Sequence, residues 1–224
     1  MGPGSTSSEA NDVYSTLSDP WRAAFDEAWE SWRSGNFGIG AVVIDPSNGE
    51  IVGRGRNRVG EKSVKARTLT GNMTAHAEMN ALASLNRFNA EGLILYTTLE
   101  PCLMCTAAAM QMKVATVHFA ASDEFYAGID ELWGHHRVTS ERRLVRTGPF
   151  DGQQKRLAHI ARLMPLLFTL EHFPGRSAEQ LARAEHPALT AVAEGVSLNQ
   201  RFSEARRSGS FLDGLTAVWK LLPE

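Results

Sequence analysis

Residues 93–120, LILYTTLEPCLMCTAAAMQMKVATVHFA, read as strand, helix and strand. Leu93 to Thr98 is a short β-type run that follows Gly92. Pro101 then introduces an Ala- and Met-rich segment, Cys102 to about Met112, with helical composition. Val114 to Ala120 returns to strand character. Outward from this unit, Ala75 to Phe88 is rich in Ala, Met and Leu without Gly or Pro, and reads as a helix. Further upstream, Gly40 to Asp45 and Ile51 to Gly55 flank Pro46-Ser47-Asn48-Gly49, the pattern of a β-hairpin. Ser18 or Asp19 can cap a helix opening at Pro20, in which Trp21, Ala24, Phe25, Ala28, Trp29 and Trp32 form one apolar stripe ending near Gly35. Single helices between strands imply crossover connections and a sheet covered by helices.

Downstream of about 147 the pattern is helical only. Leu157, Ile160, Ala161, Met164, Leu167, Phe168 and Leu170 make a stripe interrupted by Pro165, expected as a kink or break. Other helical stretches lie around 178–194 and 211–222. The expected division is a flexible tail over 1–17, a main domain over 18–147 and a helical C-terminal extension over 148–224.

The chain has 224 residues, 43% hydrophobic and 21% charged, with a formal charge of −2. Such a composition fits a globular protein with a buried core and excludes collagen-like or low-complexity chains. Two cysteines are too few for a disulfide scaffold, and no apolar run is long enough to span a membrane. The first ten residues lack the basic start and apolar run of a secretory signal, so a cytoplasmic location is expected. Near-neutral charge disfavours a globally basic nucleic-acid binder. One polar segment is locally basic: Arg54, Arg56, Arg58, Lys62, Lys65 and Arg67 stand against Glu61.

Both cysteines fall in Glu100-Pro101-Cys102-Leu103-Met104-Cys105, three apart and on one face of the first helical turn. Free N–H groups and the helix dipole favour thiolates there. Two thiolates suit zinc, and His76 at the start of the preceding helix would bring the protein ligands to three. An open fourth position is the stoichiometry of a catalytic site rather than a structural one. Positions i and i+2 of a regular helix diverge by roughly 200°, so His76 and Glu78 converge only beside a partly helical first turn. Glu78 would then face a bound water rather than the metal, as a proton shuttle must. Taken alone, Cys-x-x-Cys is also the pattern of a redox dithiol, and Glu78 that of a first-turn acid on a helix.

His76-Ala77-Glu78 followed by Pro101-Cys102-Leu103-Met104-Cys105 resembles the H-x-E…P-C-x-x-C signature of the zinc-dependent nucleobase and nucleoside deaminases. Thr74 to Glu78 and Thr98 to Cys102 are similar to the branch of tRNA adenosine, guanine and cytosine deaminases. Asn57, in Gly55-Arg56-Asn57-Arg58, falls where that branch keeps a substrate-contacting asparagine; as a bare residue it also suits a turn. Gly128-Ile129-Asp130-Glu131 resembles the guanine deaminase stretch whose aspartate reads the base; the other reading of Asp130 is a helix cap. The resemblance spans about residues 20 to 147. Gly38-Ile39-Gly40-Ala41 departs from it by lacking the branch's entry proline, and Ile129 replaces an aromatic residue.

The resemblance implies a three-layer α/β/α sandwich with a mixed five-stranded sheet, the fifth strand expected within 137–146 around Arg143-Leu144-Val145. It also implies one catalytic Zn²⁺ held by His76, Cys102 and Cys105. Zinc-generated hydroxide would attack the amine-bearing ring carbon, with Glu78 carrying protons and ammonia leaving. Asn57 and Asp130 would bind substrate. Members of this fold usually form homodimers or larger homo-oligomers whose neighbouring subunits help close the pocket. The segment Asp123 to Trp133 and the long helical tail are candidates for that closure here. The leading expectation is a small nucleobase or nucleoside of guanine or cytosine type, with no membrane partner. tRNA adenosine deamination is the alternative, weakened by the net charge and kept open by the basic loop and by Arg137, Arg142, Arg143 and Arg146. A third possibility is a non-catalytic zinc scaffold, against which an intact Glu78 argues.

Overall fold

The computed structural model describes residues 4–62, 68–142, 144–196 and 198–224. Five strands, Gly40–Asp45 (β1), Glu50–Arg56 (β2), Ile94–Leu99 (β3), Thr116–Ala121 (β4) and Val145–Thr147 (β5), form one sheet in the order β2-β1-β3-β4-β5. β1 is antiparallel to β2 and β3, while β3, β4 and β5 run parallel, so the sheet is mixed. The β1–β2 turn closes through the Gly49 amide on Asp45 O at 2.8 Å, with Gly49 at a φ of 76° that glycine tolerates without a Cβ clash. The fifth strand begins at Val145, the last residue of its expected stretch; Arg143 lies outside the described residues.

The helices in chain order are Gly4–Ser15 (α1), Asp19–Arg33 (α2), Ala77–Ala83 (α3), Leu103–Gln111 (α4), Ile129–Gly134 (α5), Arg137–Glu141 (α6), Lys155–His172 (α7), Ser177–Glu185 (α8), Pro187–Val196 (α9), Gln200–Ser208 (α10) and Phe211–Val218 (α11). α2 and α7 cover one face of the sheet, and α3 and α4 the other. Alternation in β1 sorts the two interfaces: Ala41 and Val43 pack with Ala77, Ala81 and Leu95, while Val42 packs with Ala23 and Ala24. The α/β/α sandwich expected from the sequence is therefore present. None of the described helices is long and apolar enough to cross a membrane.

Three expectations change. The supposed loose tail is helical over Gly4–Ser15, and Ala10 and Leu17 are buried in the main hydrophobic cluster. That cluster joins α2 and the end of β4 to the C-terminal helices, so the core does not divide near residue 147. The helix expected over Ala75–Phe88 spans only Ala77–Ala83; Ser84 Oγ bonds back to Ala81 O at 2.7 Å and accepts the Arg54 amide at 3.1 Å. At Pro165, where a kink or a break is expected, α7 continues without a break.

Three arginines of the basic segment are paired with carboxylates rather than free. Arg54 and Arg56 belong to β2, and Arg56 pairs with Glu30 at 3.1 Å and Glu61 at 2.9 Å. Arg58 meets Glu61 at 2.7 Å and Arg54 approaches Glu27 at 3.9 Å. Two of these carboxylates come from α2, distant in sequence. Lys65 and Arg67 lie outside the described residues.

Candidate active site

β3 ends at Leu99, and the chain passes through Glu100 and Pro101 to Cys102, which is the N-cap of α4. Cys105 is the third residue of that helix, so both thiols sit at its positive end. On the neighbouring helix, His76 is the N-cap of α3, with an extended ψ of 159°. This resolves the helical-wheel difficulty, since a residue outside the helix can turn its ring toward the same point as Glu78.

His76 Nδ1 lies 3.6 Å from Cys102 Sγ and 3.5 Å from Cys105 Sγ. A tetrahedral zinc with ordinary Zn–S and Zn–N bonds spaces a sulfur and a nitrogen ligand by about 3.5 Å. The three ligand atoms all lie within 4.8 Å of one another. The donor set and its spacing thus fit a zinc ion with one position left for another ligand. The side-chain interaction with Cys105, ahead of the opposing effect of burial, lowers Cys102 to a pKa of about 4. Cys105 is pushed up by the same interaction and by burial.

Glu78 is 3% exposed. One carboxylate oxygen accepts the Thr97 hydroxyl at 3.0 Å, and the other receives the Cys105 thiol at 3.3 Å. Burial raises its pKa, against the charge of His76. For His76, burial acts downward, but the hydrogen bond to Cys102 and the Glu78 charge outweigh it and leave the pKa raised.

His76, Glu78 and Cys102 line a cavity of about 300 Å³, small for a small-molecule site. Asn57 is in the same wall and 1% exposed. Its Oδ1 accepts the Val59 amide at 3.1 Å, so what the side chain has to offer a ligand is its Nδ2 donor. Asp130 is not among the lining residues; its side chain is 69% exposed and paired with Arg146 at 2.7 Å. Arg146 also holds Glu100 at 2.6 Å, beside the Cys102 turn.

Sequence reading named the segment Asp123 to Trp133 and the helical tail as candidates to close the pocket but singled out no individual residue on that wall. Asp123 lies just past the end of β4, as Cys102 lies past the end of β3, and carboxyl ends of adjacent parallel strands are where α/β sites gather. That topological signal was available for Asp123. None was available for Arg162, Leu166 or Leu181, which reach the cavity from α7 and α8.

The family model for the cytidine and deoxycytidylate deaminase zinc-binding region matches residues 15–121. The tRNA-specific adenosine deaminase of Aquifex aeolicus (strain VF5) is 34% identical over 131 residues, covering 54% of this chain and 80% of that relative. The chain belongs to the cytidine deaminase-like family of zinc-dependent deaminases.

The deaminase is accordingly a hydrolase of a C–N bond, and zinc is its metal. The tRNA-specific adenosine deaminase of Streptococcus pyogenes serotype M1 is 33% identical over 133 residues, 54% of this deaminase and 72% of the relative. Among solved structures, a guanine deaminase from Nitrosomonas europaea covers 66% of the chain and 85% of its own, at 20% identity and a TM-score of 0.49. α7 and α8, which close the cavity of this deaminase, lie beyond the stretch that the family model matches.

Proposed function

We propose that this deaminase converts an adenosine in tRNA to inosine. The observation that carries the substrate class is the 33–34% identity to tRNA-specific adenosine deaminases. That similarity outweighs the bulk charge of −2, which sets no limit on a local phosphate contact. A small nucleobase or nucleoside is the second reading, favoured by a cavity of only about 300 Å³. A tRNA adenosine would enter that cavity with its base turned out of the stack.

Held by His76, Cys102 and Cys105, the metal would supply a Lewis acid and a water acidified toward neutral pH. The remaining work falls to side chains. Glu78 Oε2, on the side of the ligand cluster, takes a proton from the water and delivers it to the ring nitrogen. The water oxygen bonds to the amine-bearing carbon, the C–N bond breaks, and a second proton passage through Glu78 lets the amine leave as ammonia. Thr97 keeps the other oxygen of Glu78 occupied, which fixes the carboxylate plane. Asn57 donates from Nδ2 to an acceptor on the base.

Comparing kcat/KM for an anticodon stem-loop bearing adenosine with that for adenine, adenosine, guanine and cytosine tests the reading. A preference for the stem-loop of at least about 100-fold is expected, with affinity falling steeply between about 50 and 200 mM salt. Faster turnover of a free base, with no salt dependence, would overturn it in favour of the second reading.

A further inference from the structure

The catalytic cavity has two halves of different origin. His76, Glu78 and Cys102 lie within the stretch shared with the family, whereas Arg162, Leu166, Leu181 and Ala182 come from helices beyond it. The second half is locked in place rather than merely adjacent. Arg162 Nη1 donates to Ser122 O at 2.9 Å and meets Asp123 Oδ1 at 3.2 Å, and Nη2 donates to Glu124. His186, between α8 and α9, reaches the other oxygen of Glu124 at 2.7 Å. The loop after β4 is thereby clamped to both ends of the added wall. Phe37, next to the cavity, packs its ring 4.3 Å from Phe168 of α7, which fixes the wall at the opposite edge.

We propose that α7 and α8 form the specificity wall of this deaminase: Arg162 positions the polar corner at Asp123, while Leu166 and Leu181 limit the size of the base that fits. The inference rests on membership of the deaminase family and holds for either substrate class above. An apolar wall discriminates by volume, and a methylene-sized change in such a pocket alters selectivity by about 10–200-fold. The wall admits one planar base and leaves any attached sugar or phosphate chain at the mouth, where Ala178 is exposed. Arg162 is a positioning residue, since it acts through Asp123 and Glu124.

Two opposite substitutions test this in the full-length zinc enzyme. Leu181→Ala enlarges the cavity, and kcat/KM for a C2- or C8-methylated purine should rise at least about tenfold relative to the unsubstituted purine. Ala178→Phe, at an exposed position of α8, should raise KM more than it lowers kcat. Affinity for the same purines, measured in a Glu78→Gln background, gives a second readout that needs no turnover. Folded, zinc-loaded variants with wild-type KM, purine affinity and size preference would overturn the proposal; should Leu181→Ala misfold, Ala178→Phe decides alone. Assaying both the stem-loop and the free purines separates the questions, because wall effects seen only on free purines sustain the wall and refute the tRNA reading.

Discussion

Glu78 has its two oxygens committed to different tasks, one to Thr97 and the other to the ligand cluster. Glu78→Gln preserves the shape and the Thr97 contact but cannot carry a proton. Zinc content should stay at the wild-type level while kcat falls about 100- to 10,000-fold, the usual range for a positioned acid–base group; metal analysis and a steady-state assay on one preparation check both halves. Zinc affinity carries a pH sign of its own. The metal must displace the proton that Cys105 holds, and below the raised pKa of His76 the ring is protonated as well, so affinity rises with pH. Chelator competition at pH 6 and pH 8 should show weaker binding at the lower value, and equal binding would contradict the loss of protons from Cys105 and His76 on metal binding. At this scale the sequence was most legible for His76, Glu78, Cys102 and Cys105, because metal chemistry dictates both residue type and spacing within a few positions. Thr97 and Asp123 acquire their meaning only from strands brought side by side.

The position of a helix against the sheet decides whether those residues meet. A Cβ placed on Gly55 would lie 2.2 Å from Ala77 O and 2.2 Å from Ala81 N, both backbone atoms of α3. Gly40 makes the same demand on α2, where a Cβ would fall 2.2 Å from Ala24 O. Backbone cannot rotate away as a side chain can, so Gly55→Ala must push α3, and His76 and Glu78 with it, off the sheet. A loss of about 1–3 kcal/mol is expected from overpacking. Thermal unfolding should detect it, and zinc affinity should drop with it; Gly40→Ala, acting on the other face, should lower stability with a smaller effect on zinc. Wild-type stability in Gly55→Ala would show that α3 has slack. Element order was readable from hydrophobic period and turn residues, but helix ends were not. The end of α3 depends on Ser84 bonding to Ala81 and Arg54, the latter thirty positions away in the chain.

On the scale of the whole molecule, the C-terminal helices are part of the core and of the cavity wall at once. The stripe on α2 read from the sequence as core is core, but much of what covers it comes from beyond residue 147. Phe25 stacks on Phe211 with centroids 4.7 Å apart, Trp32 lies 4.9 Å from Phe202, and Trp29 donates its indole N–H to Gly209 O at 3.1 Å. No sequence pattern announces which helix pairs with which, so the extension read as an appendage and the paired arginines of β2 read as free charge. The consequence is measurable. Each large side chain uncovered forfeits about 1.5–3 kcal/mol, so exposing Phe25, Trp29 and Trp32 alone removes roughly 5–9 kcal/mol. That rivals the about 5–15 kcal/mol that hold a whole domain together. A chain cut to residues 18–147 should therefore lack a cooperative thermal transition, bind a hydrophobic dye and fail to retain zinc, although it carries all three ligands and Glu78. A cooperative transition within about 5 °C of the intact protein, where a ΔΔG of this size would shift the midpoint much further, would show that the α2 stripe finds another cover.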